Sequence, residues 1–280
     1  MSQNLKNIGL SALFVLSTIF VVADSVTAQV MQDMTVYGLT TAGELVKFRS
    51  SKPDKLMKMP KMSGMQADER LVGIDFRASN KMLYGVSNQN RIYTINTTTG
   101  AATTVGALTT ALSGNGYGVD FNPVPDRLRI TNEAAQNLRA NPADATNVTD
   151  KPLAFAAADA NNGKTANIAA SAYTNNFAGA KATTLYNIDS AFDVLVTQDP
   201  PNDGVLNTVG KLGVNVTGNA GFDIVSSNDN NSALAALQIE GEKTSKLYAI
   251  NLSTGAATLV GKIGGKNPLV GLAISPEGGM

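Results

Sequence analysis

The sequence predicts an all-β fold, a five-bladed β-propeller that is closed by its own chain ends. First, a short phrase recurs five times at a pitch of about 50 residues, which is typical of propellers and β-arrays. Second, short strands follow the copies in a regular order, and third, the two chain ends supply complementary parts of one unit. The copies are LVGIDF (Leu71–Phe76), YGVDF (Tyr117–Phe121), AASAY (Ala169–Tyr173), GFDI (Gly221–Ile224) and VGLAI (Val270–Ile274).

Each copy is predicted to be strand a of a four-stranded unit, followed by strands b, c and d. Alternating apolar residues between Asn, Gly and Thr turns indicate these strands. In the first unit they are MLYGVS, RIYTIN and AATTVG; in the second DRLRIT, NLRAN and a weak fourth near Thr146–Phe155; in the third TTLYNID, DVLVTQ and LNTVG. In the fourth unit, KLYAINLSTGAATLVG (Lys246–Gly261) repeats RIYTINTTTGAATTVG (Arg91–Gly106) almost position for position.

The two chain ends are predicted to complete the fifth blade together. TVYGLT, ELVKFRS and DKLMKM, between Thr35 and Met59, have the pattern of strands b, c and d, and PLVGLAIS (Pro268–Ser275) has that of strand a. Joining them would close the ring in a velcro arrangement and leave no long unpaired edge. A β-sandwich or an open solenoid is the alternative.

The first 28 residues are typical of an export signal. Lys6 precedes an apolar run from Ile8 to Ala23 without charges, and Val26-Thr27-Ala28 is a small-residue cleavage site. We therefore expect a signal peptide over 1–28, a single propeller domain over 29–280, and a location in the periplasm or outside the cell. An uncleaved anchor helix is the alternative; after cleavage no membrane insertion is expected.

The composition excludes several classes of function. The 22 Lys and Arg balance the 22 Asp and Glu, which gives no electrostatic reason to expect nucleic acid as a partner. Histidine and cysteine are absent, which excludes Ser-His-Asp and Cys-His catalysis, histidine-ligated metals and disulfides. We expect a monomer whose partner is a glycan or a protein.

Several phrases resemble a bacterial, mostly exported family catalogued as domain of unknown function 4394. They are ASAYTNNFAGA (Ala170–Ala180), TTLYNID, LVTQDPPNDGVLNTVG (Leu195–Gly210), VDFNPVPDRLRI (Val119–Ile130) and the repeat LYTIN-x-x-TGAAT-x-VG. The resemblance covers about Val36 to Ile274. It implies an exported, repeat-built protein of unassigned activity, and it supplies no catalytic residues.

Three aspartates occupy equivalent positions late in strand a. Asp75, Asp120 and Asp223 each follow a glycine by two residues, whereas the other two copies carry Ala172 and Ala273 there. A carboxylate ring around the axis, for a cation or for acid–base chemistry, is one hypothesis. The preferred interpretation is structural, with each carboxylate accepting backbone N–H bonds from the turn that follows it.

A polysaccharide hydrolase or lyase that uses carboxylates alone is the alternative function. Two carboxylates that face one another can hydrolyse a glycoside without histidine. The b–c loops supply the candidate acids and one base: Asp189, Asp193, Glu133, Glu240, Glu242 and Lys243. Solvated charge on loop tips is the simpler interpretation, so we predict no catalytic residues and favour a non-enzymatic binding or scaffold protein.

The a–b and c–d connections of the third unit and the neighbouring a–b turn are predicted to form a ligand-binding rim. Amide and carboxylate oxygens around a Gly-rich turn suit sugar hydroxyls or Ca²⁺. No metal-binding residues are predicted, and Ca²⁺ is the one cofactor left open. Asx and Pro turns that satisfy their own backbone are the structural alternative. The predicted ligand-binding residues are Asn175, Asn176, Phe177, Asp199, Asn202, Asp203, Asp126 and Arg127.

Overall fold

The described chain folds into five sheets, antiparallel apart from one two-residue parallel pairing, that are arranged as the blades of a propeller. The computed structural model describes residues 33–227 and 230–276, apart from the side chain of Ser227. The predicted signal peptide over 1–28 lies outside the described residues. Within the described part of the chain, no helix is long and apolar enough to cross a membrane.

The strands follow the predicted order a, b, c, d in each blade. Blade 1 contains β1 (Thr35–Thr40), β2 (Leu45–Arg49), β3 (Lys52–Met57) and β21 (Leu269–Ile274); blade 2 contains β4 (Leu71–Phe76), β5 (Leu83–Ser87), β6 (Arg91–Ile95) and β7 (Ala102–Ala107). Blade 3 contains β8 (Tyr117–Asn122), β9 (Arg127–Asn132), β10 (Asn137–Ala140) and β11 (Asn147–Thr149). Blade 4 contains β12 (Ala154–Phe155), β13 (Ile168–Tyr173), β14 (Leu185–Asp189), β15 (Val194–Gln198) and β16 (Val205–Lys211); blade 5 contains β17 (Val216–Ser227), β18 (Asn230–Ile239), β19 (Ser245–Ile250) and β20 (Ala257–Lys262).

The ring is closed by the two chain ends, as predicted. Strand β21 pairs antiparallel with β1, with Val36 opposite Ile274 and Gly38 opposite Leu272. The last strand of the chain is therefore strand a of blade 1. This pairing confirms the velcro closure and the count of five blades.

Blade 4 departs from the predicted strand pattern at its outer edge. The weak segment near Thr146–Phe155 divides into β11, which ends blade 3, and β12, which pairs parallel with β16 in blade 4. The c–d connection of blade 4 contains a short 3-10 helix, Pro201–Asp203, followed by Gly204 with a φ of 67°. Two-residue strands and single turns are too short to produce a periodic sequence signal.

The repeated c–d turn shows how the sequence specifies each hairpin. The Oδ1 atom of Asn96 accepts the backbone N–H bonds of Thr98 and Thr99, both at 2.9 Å. Four residues after Asn96, Gly100 has a φ of 77°, a left-handed conformation that favours glycine. The Asn251 turn of blade 5 repeats this arrangement, so the recurrent Asn and Gly are turn-forming residues.

The hydrophobic core lies between neighbouring sheets, and the strands a surround the axis. Small residues let these inner strands approach closely: a Cβ atom added to Gly221 would lie 2.5 Å from the carbonyl carbon of Gly271. Apolar side chains of blades 2 and 3 form one cluster, and those of blades 4 and 5 form another. The close approach of the inner strands brings the aspartates of strand a together.

Candidate functional site

Three carboxylates converge on the propeller axis. Asp75 on β4, Asp120 on β8 and Asp223 on β17 each place a carboxylate oxygen within 4.8 Å of the others. All three side chains are buried, with at most 1% of their surface exposed. We call these residues the axial aspartates.

The axial aspartates bind one inward backbone N–H from every blade. Strand a is the inner edge of each sheet, so N–H groups that face the axis have no ladder partner and need another acceptor. The donors, with their N···O distances, are Phe76 (2.6 Å) and Phe121 (2.7 Å) to Asp75, Tyr173 (3.0 Å) to Asp120, and Ile224 (2.6 Å) and Ile274 (2.5 Å) to Asp223.

This arrangement explains why two of the five copies carry alanine. Asp75 and Asp223 each use one oxygen for the next N–H of their own strand and the other for the neighbouring blade. An aspartate at position 172 or 273 would therefore find that the N–H groups within its reach already donate to another carboxylate. Three carboxylates satisfy all five donors, and Ala172 and Ala273 are sufficient elsewhere.

The structural role predicted for the axial aspartates was correct, but the predicted hydrogen-bond donors were wrong. The carboxylates do accept backbone N–H bonds, as expected, but the donors belong to the inner strands and not to the following turn. Three of the bonds cross from one blade to the next. The axial aspartates thus join blades as well as occupying the axis.

One carboxylate oxygen remains. The Oδ2 atom of Asp120 is buried, and it has no hydrogen-bond partner among the described residues. Burial raises the pKa of Asp75 and Asp120 well above the usual range, and repulsion between the carboxylates adds to the effect. Burial also raises the pKa of Asp223, to about 7. The axis therefore contains three carboxyl groups that ionise with difficulty.

A small cavity lies beside the axial aspartates, toward the start of the inner strands. Its volume is about 10 Å³, and Gly73, Val119, Ala170, Gly221 and Gly271 are among the residues that line it. That volume is close to the minimum needed for one water molecule. All five blades contribute to its wall, which places it on the axis.

The predicted rim residues of the a–b connection in blade 4 face blade 5. The backbone N–H of Asn175 donates to Asn231 at 3.0 Å, and that of Asn176 donates to Ser226 at 3.1 Å. Phe177 is 44% exposed. Hydrogen bonds thus hold this loop against the neighbouring hairpin, and Phe177 remains open to a partner.

The c–d connection of blade 4 contacts blade 3. The Oδ1 atom of Asn202 accepts a 2.8 Å bond from the buried guanidinium of Arg129, which also pairs with Asp150 at 2.6 Å. Asp203 forms an exposed ion pair with Lys151 at 2.9 Å, and the exposed Asp199 precedes a cis peptide bond. Asn202 therefore joins two blades, and the two acids lie at the surface.

The two residues predicted at the a–b turn of blade 3, Asp126 and Arg127, have different contacts. Asp126 forms a bidentate ion pair with Arg77 of blade 2, with N···O distances of 2.9 and 2.5 Å. Arg127 is exposed and donates to the backbone carbonyl of Asp126 at 3.0 Å. The rim residues thus contact three different neighbouring segments, chiefly as links between blades.

The acids that sequence analysis offered for hydrolysis are largely bound to backbone. Asp189 accepts three N–H bonds of 2.9–3.1 Å, and Glu133 accepts two, of 2.5 and 2.6 Å. Asp193 accepts one from Val216 at 2.8 Å. Burial raises the pKa of Asp189. Among the remaining b–c loop residues, Glu240 and Lys243 are exposed, and Glu242 pairs with Lys246.

A groove of about 460 Å³ lies on blade 2, at residues that the sequence did not single out. Phe76, Leu83 and Ile95 lie almost fully buried beneath it, and Met82, which is 44% exposed, supplies accessible apolar surface. The remaining lining residues, which carry most of the polar atoms, are Lys81, Thr94, Asn96, Thr97, Thr98, Ala101 and Thr103. We call this the blade-2 groove.

A signal for the blade-2 groove is present in the repeat itself. Blade 5 carries the same hairpin with Ala249 in place of Thr94 and Leu252 in place of Thr97. Shared positions form the turn, whereas these two positions differ in hydrogen-bonding capacity. Comparing the two copies for differences, and not only for similarity, would have identified blade 2.

The fold and the axial ring of N–H acceptors define a five-bladed β-propeller with velcro closure. The profile of the family described as domain of unknown function (DUF4394) matches residues 44–273. The chain therefore belongs to this family. No curated protein matches the sequence significantly.

Several solved structures match the chain at low sequence identity. A protein of unknown function from Bacteroides thetaiotaomicron VPI-5482 is 13% identical, with a TM-score of 0.48 over 73% of this chain and 53% of its own, so this chain spans about half its length. A chain of a nidogen–laminin complex is 10% identical (TM-score 0.47; 87% and 98% covered). Glutaminyl cyclase from Myxococcus xanthus is 11% identical (TM-score 0.46; 76% and 92% covered). These similarities carry no argument about function.

Proposed function

We propose that the protein is a non-enzymatic, glycan-binding propeller whose ligand occupies the blade-2 groove. The observation that carries this proposal is the groove itself. At about 460 Å³ it lies within the usual range of small-molecule sites, and it combines apolar side chains with hydroxyl and amide groups. A sugar offers the complementary surface, because its ring carries apolar C–H faces and polar hydroxyl edges.

The bonding of the loop acids supports binding over hydrolysis. A glycosidase needs one carboxyl group that protonates the leaving oxygen and a second that acts as a base or nucleophile. Asp189 and Glu133 instead hold backbone N–H groups of the loops around them. Moving either group into a reaction would break those bonds.

A glycan array probed with the purified protein tests this function. Thr98→Val and Thr103→Val together remove two hydroxyl groups from the groove, and we expect at least about a tenfold loss of affinity for the retained glycan. Thr258→Val changes the counterpart of Thr103 in blade 5 and serves as the matched control. The absence of any retained glycan, or equal losses in the two blades, would contradict the proposal.

A hydrolase would behave differently in the same samples. It would release reducing sugar from a polysaccharide and lose that activity with Asp189→Asn or Glu240→Gln. A binding protein retains its glycan with Glu240→Gln, because this exposed side chain lies outside the groove. Release of reducing sugar that is lost with either substitution would contradict the binding proposal and indicate a hydrolase.

We further propose that residues 1–28 direct export to the periplasm or beyond and that the mature protein is a monomer. The charge pattern and the small-residue site before Gln29 support export. N-terminal sequencing of protein recovered outside the cytoplasm should begin at Gln29. A mature chain that begins at Met1 would contradict it.

A further inference from the structure

We propose that the three axial aspartates bind a hard divalent cation on the propeller axis. The site is separate from the blade-2 groove and does not depend on glycan binding. Its protein ligands would be carboxylate oxygens of Asp75, Asp120 and Asp223, each from a different blade.

The spacing of the oxygens suits such an ion. Ca²⁺ binds oxygen ligands at about 2.3–2.6 Å, so two bonds to one ion span up to roughly 5 Å. The three oxygens lie within 4.8 Å of one another. A carboxylate oxygen that accepts one N–H bond still has a lone pair for a cation.

The unpaired oxygen of Asp120 is a second, independent observation. Five of the six carboxylate oxygens accept the five inward N–H bonds, and Oδ2 of Asp120 has no partner among the described atoms. Buried polar atoms in native proteins are almost always bonded to protein, water or an ion. The unpaired atom belongs to the same carboxyl group that lies within reach of Asp75 and Asp223, so a cation on the axis would give it a partner.

Among the described residues, no basic side chain neutralises the axial aspartates. None of the ion pairs between described residues joins an axial aspartate to a lysine or arginine. Burial raises the pKa of all three acids, and repulsion from a neighbouring carboxylate adds to the effect at Asp75 and Asp120. A bound cation would neutralise the charge without disturbing the five N–H bonds.

Oxygen ligands and the adjacent cavity indicate the class of ion. Carboxylate and water ligands suit Ca²⁺, Mg²⁺ and Mn²⁺, whereas softer metals prefer sulfur or imidazole. The cavity of about 10 Å³ beside the cluster can hold about one water molecule as an additional ligand. Ca²⁺ and Mg²⁺ are therefore the two ions to be titrated separately.

Calorimetric titration and thermal unfolding of the full chain, first stripped with EDTA, test the site. We expect one ion per chain and a rise in melting temperature of roughly 5–10 °C at a hundred times the dissociation constant. Asp120→Asn keeps an oxygen for the Tyr173 N–H and removes the unpaired carboxylate oxygen, so both effects should be lost. Asp203→Asn, which changes an exposed acid, is the control and should retain them.

Two results would overturn the proposal: no binding of either ion to wild-type protein, or equal binding by Asp120→Asn. A second measurement is independent of whether the variant folds. Crystals of the wild-type protein soaked with Mn²⁺ should show an anomalous difference peak among Asp75, Asp120 and Asp223. A peak found only on surface acids would reject the axial site.

Discussion

The five interfaces between blades fall into two groups at the level of the axial aspartates. Asp75, Asp120 and Asp223 each accept an N–H from the next blade. Ala172 and Ala273 occupy the same level at the other two interfaces. The repeat therefore places a polar link at three interfaces and a methyl group at two.

The two alanine interfaces rely on apolar packing at this level. Between blades 1 and 2, the rings of Tyr37 and Phe76 meet edge to face with centroids 5.4 Å apart. Between blades 4 and 5, Ala172 and Phe222 belong to one buried cluster. The aspartate therefore occurs only at the interfaces where an axial N–H group requires an acceptor.

The largest effect is expected from converting an alanine interface into an aspartate interface. Ala172→Asp would add a buried carboxylate when the adjacent Ile224 N–H is already bonded to Asp223. An uncompensated buried charge costs about 3–5 kcal/mol in unfolding free energy. Urea unfolding in EDTA measures this, with Ala172→Asn as the control for side-chain size. Unchanged stability of Ala172→Asp would show that the alanine interfaces tolerate a carboxylate as well as the aspartate interfaces do.

A smaller effect should separate two of the aspartates themselves. Asp75→Asn and Asp120→Asn are the same chemical change at equivalent positions, but of these two residues only Asp75 uses both oxygens to accept N–H bonds. Asp75→Asn should therefore be the less stable variant by about 1–3 kcal/mol, the cost of one buried donor left without an acceptor. Equilibrium unfolding of the two variants in EDTA gives this difference. Equal stabilities would show that the N–H bonds do not determine it.

The smallest effect concerns the ion pair that accompanies Asp75 at the interface of blades 2 and 3. The Arg77 guanidinium holds the pKa of Asp126 below its usual range by hydrogen bonding. The pair therefore stabilises the fold above the unfolded pKa, near 4, and this contribution is lost as the pH falls through the lower folded value. Asp126→Asn should lower the unfolding free energy by about 0.5–1 kcal/mol at pH 7, because the pair is partly exposed.

A double-mutant cycle with Arg77→Gln isolates that pair from other titrating groups. The coupling between residues 77 and 126 should be present at pH 7 and should decrease toward pH 3. A coupling that is independent of pH would mean that packing of the two side chains, and not their charges, accounts for the effect.

The fold was predictable because its signals are local and repeated. TVYGLT became β1 (Thr35–Thr40), and RIYTIN became β6 (Arg91–Ile95), with turns fixed by Asn and Gly. Closure followed from two incomplete units at the chain ends. Short segments such as β12 were missed because two residues carry no period.

The axial site was predictable only in part. Repetition identified Asp75, Asp120 and Asp223, but the N–H that Asp75 accepts from Phe121 lies on another blade. A pairing across about 50 residues depends on how the inner strands approach around the ring, which no local pattern describes. The blade-2 groove was missed for a related reason, since Thr94 and Thr97 look like ordinary turn and strand residues.

The most direct test of the axial arrangement is detection of scalar couplings across its hydrogen bonds by NMR of the labelled, deuterated protein. Such a coupling between an amide nitrogen and a side-chain carboxylate carbon arises only when the two are hydrogen bonded. The three pairs that cross between blades are Phe121 with Asp75, Tyr173 with Asp120 and Ile274 with Asp223. We predict couplings for all three pairs. Their absence, in spectra that show the couplings of the β-ladders, would contradict the account.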